Sequence, residues 1–327
     1  MKNIIPDKLK KGDEIRVIAP SRSMSLLNDE TINIATKRLE DLGFKVTFGK
    51  NVYKQIDDNY FCASIEDRVS DLHEAFLDTN VKAILTVIGG FNVNQILDYI
   101  DYDLIKNNPK ILCGFSDITA LLNAIYAKTG LVTYYGPHYS SFGMKKGFDY
   151  TLKYFKKMFI ENKEFEIKDS DYWSDDLWFL DQDNREFINN EGRYIYSNKD
   201  VEAKIIGGNL CTLNLLQGTK YMPDLDNTVL FIEDDDLIGE EFLREFDRNL
   251  QSLLHCYNGK RLKGIIIGRA QKNSKMNVDK WKKLIITKKE LQNIPVIFNM
   301  DFGHTTPIFT FPIGGKIKIK DNKIYMI

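Results

Sequence analysis

The sequence predicts an α/β protein whose first half forms a parallel sheet with helices on both faces. Two observations predict this fold: short, nearly continuous apolar runs recur through the first half, and amphipathic helical patterns separate them. A G-x-G-x-x-G dinucleotide fingerprint is absent after the first and third of these strands. Because ligands of such sheets collect at the carboxyl ends of the strands, functional residues are expected there.

The first half alternates strands and helices. Asn28 or Asp29 caps the first helix, Gly43 ends it, and Ser64 caps the second. In chain order the predicted elements are a strand over 14–19, a helix to 42, a strand over 44–48, a helix from 64, a strand over 81–88, a short helix over 93–100, a strand over 110–113 and a helix over 118–128.

The chain changes character after residue 150 and then resumes strands. Residues 161–186 are rich in acids and hold two tryptophans without a clear period, which indicates a connection and a long functional loop. Asp321-Asn322 is a hairpin-turn candidate near the end. The further predicted elements are strands over 228–232, 263–267, 295–299, 316–320 and 323–327, and a helix over 240–257.

Composition and charge exclude several classes of protein. The 327 residues are 43% hydrophobic, enough for a sizeable core, and 45 basic against 46 acidic side chains argue against a nucleic-acid binder. The longest apolar stretches are far shorter than the about 18 residues of a membrane span, and the first residues do not resemble a signal peptide. The four cysteines lack metal-ligand and redox spacing. We therefore expect a cytoplasmic globular enzyme with free thiols.

The strongest chemical signal is the turn Gly114-Phe115-Ser116-Asp117, where a predicted strand runs directly into a helix. A serine at this point exposes its hydroxyl at the sheet edge beside helix N–H groups, which is the geometry of a nucleophile elbow. The usual G-x-S-x-G is incomplete, because Ile118 stands at the position of the second glycine. A serine that only caps the helix explains the same pattern.

A nucleophilic serine needs a base, and the sequence holds four histidines. His73 and His255 fall within amphipathic helices and are expected to be structural. His138 follows Gly-Pro in a loop and is expected at the surface or behind the catalytic residues. His304 lies in a glycine-flanked loop directly after a strand, where it either reaches a cleft or remains a surface histidine.

The acid that would orient the histidine is Glu233, the first acid after the apolar run over 228–232. Asp234, Asp235 and Asp236 follow it and are expected to be solvated or to cap the next element. The same cluster could instead bind Mg²⁺ or Ca²⁺, although neither an EF-hand spacing nor a phosphate-binding loop accompanies it.

Two adjacent glycines, Gly89 and Gly90, follow the strand over 81–88. Because they lack side chains, their backbone N–H groups can approach a ligand closely. Together with the N–H of Asp117 they could form an oxyanion hole. A tight strand-to-helix turn is the alternative explanation.

Several motifs occur in a fixed order along nearly the whole chain. They are GDEIRVIAPS, IGGFN, GFSDIT, YYGP, IIGGNL with TLNLLQGT, LFIEDDD, and DFGHTTP with FPIG. With these motifs the sequence resembles the LD-carboxypeptidase family of serine peptidases. DYWSDD over 171–176, YMPDL over 221–225 and the FPIG near the end resemble its microcin C immunity branch more than its muropeptide-recycling branch.

The resemblance implies a role for each candidate residue. Ser116, Glu233 and His304 would form a catalytic triad, and the N–H groups of Gly90 and Asp117 would form the oxyanion hole. No metal or other cofactor is implied.

The resemblance also implies a domain plan. An N-terminal flavodoxin- or Rossmann-like domain would span 1–160, a linker and substrate loop 161–200, and a mixed α+β C-terminal domain 201–327. The active site would lie in the cleft between the two domains, and the protein would form a homodimer.

The implied reaction is hydrolysis of an amide next to a terminal carboxyl group. The substrate would be a muropeptide with an L,D-peptide bond, or a peptidyl-nucleotide in which a carboxyl group is joined to a modified nucleotide. Gly89, Trp178 and Tyr194 are the expected substrate contacts, with the aromatics as candidates for nucleobase stacking. Arg244 and Arg269 could bind the terminal carboxylate, or could serve in surface ion pairs.

Two other functions are compatible with the sequence. The same scaffold could bind a small molecule without catalysis, although an intact set of triad residues argues against that. A metal-dependent hydrolase centred on residues 233–236 is the third hypothesis.

Overall fold

Two β-sheets and a short two-stranded ribbon organise the chain, of which the computed structural model describes residues 2–57, 59–161, 163–256 and 262–327. The first sheet has six strands and the second has eight. Within these described residues, no helix combines the length and apolar composition needed to cross a bilayer.

The first sheet has the strand order β14-β5-β4-β3-β1-β2. Its strands are β1 (Glu14–Ile18), β2 (Lys45–Phe48), β3 (Val81–Thr86), β4 (Ile111–Gly114), β5 (Thr133–Tyr135) and β14 (Phe311–Ile313). The five strands from the first half run parallel, as predicted for this half, although β5 was not among the predicted strands, and β14 is antiparallel to β5. Ile15, Val17, Ile84 and Leu112 are fully buried, as expected for a parallel sheet covered on both faces.

Five helices accompany this sheet. They are α1 (Asp29–Asp41), α2 (Ile65–Leu77), α3 (Tyr102–Asn107), α4 (Thr119–Thr129) and α5 (Asp149–Phe159). Asn28 and Ser64 cap α1 and α2 as predicted, because their side chains accept the N–H groups of Thr31 and Asp67. The segment over 93–100, predicted as a short helix, is a 3₁₀ helix over Val93–Tyr99.

The second sheet is mixed, with the order β6-β16-β15-β10-β11-β12-β13-β9. Its strands are β6 (Phe165–Ile167), β9 (Tyr194–Ser197), β10 (Val201–Asn209), β11 (Thr228–Glu233), β12 (Gly264–Gly268), β13 (Val296–Met300), β15 (Lys316–Lys320) and β16 (Lys323–Met326). Strands β10 to β13 are parallel, and antiparallel strands complete both edges.

Short elements and three helices complete this half. The ribbon pairs β7 (Tyr172–Trp173) with β8 (Ile188–Asn189). The helices are α6 (Leu210–Asn214), α7 (Phe242–Cys256) and α8 (Val278–Ile286). Between β15 and β16, Asp321 and Asn322 both have positive φ, as a two-residue type I′ hairpin turn requires.

Helix α7 shows how an amphipathic pattern becomes packing. Phe246 and Leu250 lie on its predicted apolar face and are buried. Trp281 of α8 meets the Phe246 ring edge-on, with 5.0 Å between ring centroids. Burying a large apolar side chain stabilises a fold by about 1.5–3 kcal/mol, so this face fixes α7 and α8 to each other.

The two sheets are interleaved along the chain. Helix α4 packs against both β5 and β10, and it is buried on almost every side. Strand β14 comes from the last twentieth of the sequence and yet completes the first sheet. Strands β6 and β9, from the predicted linker, belong to the second sheet. The domain limits at 160 and 200 remain a prediction.

Candidate active site

Ser116 occupies a strained turn at the carboxyl end of β4. Its φ of +58° lies in the left-handed region, which costs a residue with a side chain about 1–3 kcal/mol. A short 3₁₀ turn over Ser116–Ile118 then leads into α4. This is the strand-to-helix geometry that exposes a nucleophilic hydroxyl, and it goes beyond what a simple helix cap requires.

Gly89 makes room for that hydroxyl. A Cβ atom at position 89 would lie 2.9 Å from the Ser116 Cβ and 3.0 Å from its Oγ. Any larger residue would therefore displace Ser116.

A line of hydrogen bonds connects Ser116 to two residues from the second half of the chain. The Oγ of Ser116 lies 3.0 Å from Nε2 of His304, and Nδ1 of His304 lies 2.8 Å from Oε2 of Glu233. Glu233 ends β11 and is buried, and His304 follows β13 in the predicted loop. The structure thus brings together the three residues predicted as a triad.

The electrostatics of His304 follow from this contact. Burial disfavours the charged imidazolium, but the charge and hydrogen bond of Glu233 outweigh burial and raise the pKa of His304 to about 9. Glu233 therefore stabilises the protonated histidine strongly.

Tyr135 is a functional candidate that the sequence analysis missed. Its hydroxyl donates to Oε1 of Glu233 at 2.8 Å. The ring is fully buried and stacks on Phe311 of β14, with centroids 4.7 Å apart. Burial and the nearby Glu233 charge hold the pKa of Tyr135 well above its usual value, so the hydroxyl keeps its proton. The YYGP motif was the available signal.

Asp117 links the turn at Ser116 to the loop that follows Gly89 and Gly90 by hydrogen bonds. Its buried carboxylate accepts the Ser21 hydroxyl at 2.6 Å and the N–H groups of Asn92 and Val93 at 3.0 Å each. Gly90 and Asp117 both border a cavity beside Ser116. Their role as oxyanion donors remains a prediction.

His138 is buried behind Ser116 and His304 rather than exposed at the surface. Its ring lies 4.2 Å from that of Phe115. Thr86 Oγ1 donates to the carbonyl of Cys113 at 3.3 Å, so it accepts the Nδ1–H of His138 at 2.8 Å. Burial lowers the pKa of His138 well below its usual value, and the imidazole is therefore neutral.

The acidic run after β11 divides between two environments. Glu233 faces His304, whereas Asp234 accepts the side-chain amide of Asn209 at 3.0 Å. Asp234 is buried, which corrects the expectation of a solvated residue, and burial raises its pKa to about 7. Cys211, Asp234 and Asp235 place their ligand atoms within 4.8 Å of one another. Asp234 and Asp235 belong to the run 233–236 in which a metal centre was considered, whereas Glu233 is not part of the group.

Two cavities meet at Ser116. The first, about 250 Å³, also contains His304, and we call it the aromatic cavity because Phe115, Phe148, Trp178 and Phe179 line it. The second, about 280 Å³, we call the acidic cavity. Its lining includes Gly90, Asp117, Asp234, Asp235 and Glu245, but no Lys or Arg from the described part of the chain.

The structure separates the predicted substrate contacts. Gly89 and Trp178 line the aromatic cavity. Tyr194 lines neither cavity: it lies on the edge strand β9, where its ring stacks on Phe298 with centroids 4.8 Å apart. The expectation that Tyr194 contacts the substrate is therefore not supported.

The two predicted carboxylate-binding arginines also lie elsewhere. Arg269 is buried in an ion pair with Asp301 at 2.8 Å, and Arg244 is exposed beside Glu241. Neither lines the aromatic or the acidic cavity.

Comparison with known proteins gives a consistent result. Family models match at two places, the LD-carboxypeptidase N-terminal domain over residues 15–136 and the LD-carboxypeptidase C-terminal domain over residues 202–319. The chain is 54% identical to YocD of Bacillus subtilis, a carboxypeptidase by assignment, over 96% of this chain and 95% of that protein. It is 31% identical to the microcin C7 self-immunity protein MccF of Escherichia coli, over 96% and 93% of the two chains. A B. subtilis protein assigned as a murein peptide carboxypeptidase is 32% identical, over 96% and 91%.

Solved structures match over the whole chain. An MccF-like protein from Bacillus anthracis, 53% identical, superimposes with a TM-score of 0.96 over 99% of both chains. MccF in complex with glutamyl sulfamoyl guanosine, 30% identical, superimposes with a TM-score of 0.87 over 98% of this chain and 97% of that chain. These matches confirm the predicted α/β fold with a parallel N-terminal and a mixed C-terminal sheet.

Proposed function

This chain belongs to the LD-carboxypeptidase family and is a serine-type hydrolase, and on that premise we propose that Ser116, His304 and Glu233 are its catalytic triad. The observation that supports the proposal is the unbroken hydrogen-bonded line between them, with contacts of 3.0 and 2.8 Å. Nucleophile, base and orienting acid stand in the order that acyl transfer needs.

The proposed reaction proceeds through an acyl-enzyme. Neutral His304 takes the hydroxyl proton as Ser116 Oγ attacks the amide carbonyl. The N–H groups of Gly90 and Asp117 stabilise the resulting oxyanion. His304 then gives its proton to the leaving nitrogen as the C–N bond breaks, and water, deprotonated by His304, releases the acid. Glu233 holds the imidazole with Nδ1–H directed at its carboxylate and stabilises the cation.

The position of His304 assigns the two cavities to the two parts of the substrate. The leaving nitrogen must meet His304, which lines the aromatic cavity but not the acidic cavity. The leaving group therefore occupies the aromatic cavity, and the acyl group occupies the acidic cavity.

Two substrate classes fit this division. One is a peptide whose amide precedes a terminal carboxyl group, and the other is an aminoacyl or peptidyl adduct of a nucleotide. Trp178 and Phe179 offer aromatic faces in the leaving-group cavity, and base stacking on such faces contributes about 1–3 kcal/mol per base. The relative MccF was solved with glutamyl sulfamoyl guanosine and with aspartyl sulfamoyl adenosine.

The experiment that tests this function is parallel hydrolysis of an L,D-tetrapeptide and an aminoacyl sulfamoyl adenosine. Ser116→Ala should abolish turnover of whichever substrate the wild type cleaves, and Ser70→Ala on α2 is the matched control with wild-type activity. Turnover by the Ser116→Ala protein at the wild-type rate would rule out the acyl-enzyme route.

Two further measurements address the alternatives. A serine-directed acylating probe should add its mass to the wild type and not to Ser116→Ala, whereas a non-catalytic binding protein would stay unlabelled. Activity that a chelator abolishes would favour the metal-dependent hydrolase. Sedimentation of the purified chain tests the predicted homodimer.

A further inference from the structure

Charge is distributed unequally between the two sides of Ser116. In the part of the chain that the structure describes, Arg22 is the only Lys or Arg lining the aromatic cavity. Two carboxylates also reach this cavity, but Asp176 is ion-paired with Arg185 and Asp175 with Lys272. Arg22 is therefore the cation on the leaving-group side, and among the described residues it forms no ion pair within 4.0 Å.

The Arg22 side chain is held against Gly89 and Gly90, next to Ser116, where the scissile bond of a substrate would lie. Its Nε donates to the carbonyl of Gly89 at 3.0 Å, and a Cβ atom on Gly90 would lie 2.9 Å from its Cγ. The side chain thus runs along the glycine turn that touches Ser116. Its two terminal nitrogens donate to none of the described residues, although the guanidinium is half-buried.

The leaving groups of both substrate classes carry an acidic group at the matching place. In a C-terminal amino acid, standard bond lengths put the carboxylate carbon about 3–4 Å from the scissile carbonyl carbon. In a nucleotide adduct, a phosphoryl or sulfamoyl group is bonded close to the same atoms. A guanidinium binds either group through paired N–H donors.

We propose that Arg22 binds the acidic group of the leaving group, which is a carboxylate or a phosphoryl-type group. Arg22 thereby selects substrates whose scissile bond lies one unit before a terminal acidic group. This inference rests on the proposed function, because the cavity assignment uses His304 as the proton donor. It replaces Arg244 and Arg269 with a residue that lines the correct cavity.

The rival explanation is structural. The charge of Arg22 also interacts with buried Asp117, so Arg22 could serve only to balance that carboxylate. A structural role, or a role in stabilising the oxyanion, would act equally on every substrate. Binding of a terminal acidic group would act only on substrates that have one.

The test compares two L,D-tetrapeptides that differ only at the C-terminus, one a free carboxylate and the other a carboxamide. Arg22→Gln should lower kcat/KM for the carboxylate peptide about 10- to 100-fold, the range for a charged hydrogen-bonded pair. The same substitution should change kcat/KM for the carboxamide peptide by less than about twofold. Arg22→Lys should recover part of the kcat/KM lost on the carboxylate peptide. Arg244→Gln is the matched control and should change neither value.

An aminoacyl sulfamoyl adenosine is the second arm. A loss confined to the peptide assigns a carboxylate as the bound group, and a loss confined to the adenosine adduct assigns the phosphoryl-type group. Equal loss on the carboxylate and carboxamide peptides would overturn the proposal whether or not the adduct is also affected, and so would no loss on any substrate.

A binding measurement separates this proposal from the proposed function. In Ser116→Ala protein, adding Arg22→Gln should raise Kd for the carboxylate peptide about tenfold and leave the carboxamide peptide unchanged. This readout holds whether or not Ser116 is the nucleophile. Unchanged Kd for both the carboxylate peptide and the aminoacyl sulfamoyl adenosine, in a variant with the melting temperature of its parent, would refute the role of Arg22.

Discussion

Tyr135→Phe removes one hydroxyl at the junction of both halves of the site. That hydroxyl donates to Glu233 Oε1 at 2.8 Å. The ring can stay stacked on Phe311, so the change leaves packing intact and deprives the buried Glu233 carboxylate of a hydrogen-bond donor.

The expected cost follows from that geometry. Losing a buried hydrogen bond to a charged group costs about 1.5–3 kcal/mol, which corresponds to about 10- to 150-fold in rate. Because Tyr135 lines neither cavity, the loss should fall on kcat with little change in KM. Steady-state hydrolysis of the preferred substrate, with urea unfolding in parallel, measures both quantities.

Tyr134 provides the control. It is the preceding buried tyrosine, its ring packs edge-on against Phe159, and its hydroxyl bonds to none of the described residues. Tyr134→Phe should keep wild-type kcat. If Tyr135→Phe also kept it, Tyr135 would not hold Glu233 in place, and the reasoning would be refuted.

Three other predictions follow from charge and burial. Because only neutral His304 can take a proton and its pKa is raised to about 9, kcat/KM should rise about tenfold per pH unit and level off near pH 9. A profile already flat from pH 7 would contradict this. The acidic cavity should favour lysyl over glutamyl sulfamoyl adenosine in kcat/KM, and equal values would show that its carboxylates do not face the acyl group. Arg269→Met leaves Asp301 unpaired and buried, so the free energy of unfolding in urea should fall by about 3–5 kcal/mol, against less than about 1 kcal/mol for exposed Arg244→Met.

Local sequence patterns were sufficient for four of the six strands of the first sheet and for each residue of the proposed triad separately, but the three-residue strands β5 and β14 were not predicted. Ser116, Glu233 and His304 each follow an apolar run, and residues in that position lie at the carboxyl edge of a parallel sheet. No periodicity indicates that edges of two different sheets face each other. The family resemblance supplied that step, and the hydrogen-bonded line agrees with it.

The features that were not predicted from the sequence have physical explanations. Strand β10 was not predicted because adjacent glycines such as Gly207 and Gly208 usually mark the end of a strand. A Cβ atom at position 208 would lie 2.4 Å from Oγ1 of Thr119, so the absence of a side chain permits close packing on α4. Arg22 gave no signal, since a single arginine in a loop is usually solvated. Tyr194 was an aromatic in an apparent loop, but the segment pairs with β13 as an edge strand.

The order of synthesis separates the members of the proposed triad. Ser116 leaves the ribosome 188 residues before His304, and β14, which carries the ring under Tyr135, follows only a few residues later. A nascent polypeptide that stops before residue 304 therefore carries the proposed nucleophile without its proposed base. On the proposed mechanism such a fragment is inactive, and hydrolysis begins only after His304 has been made.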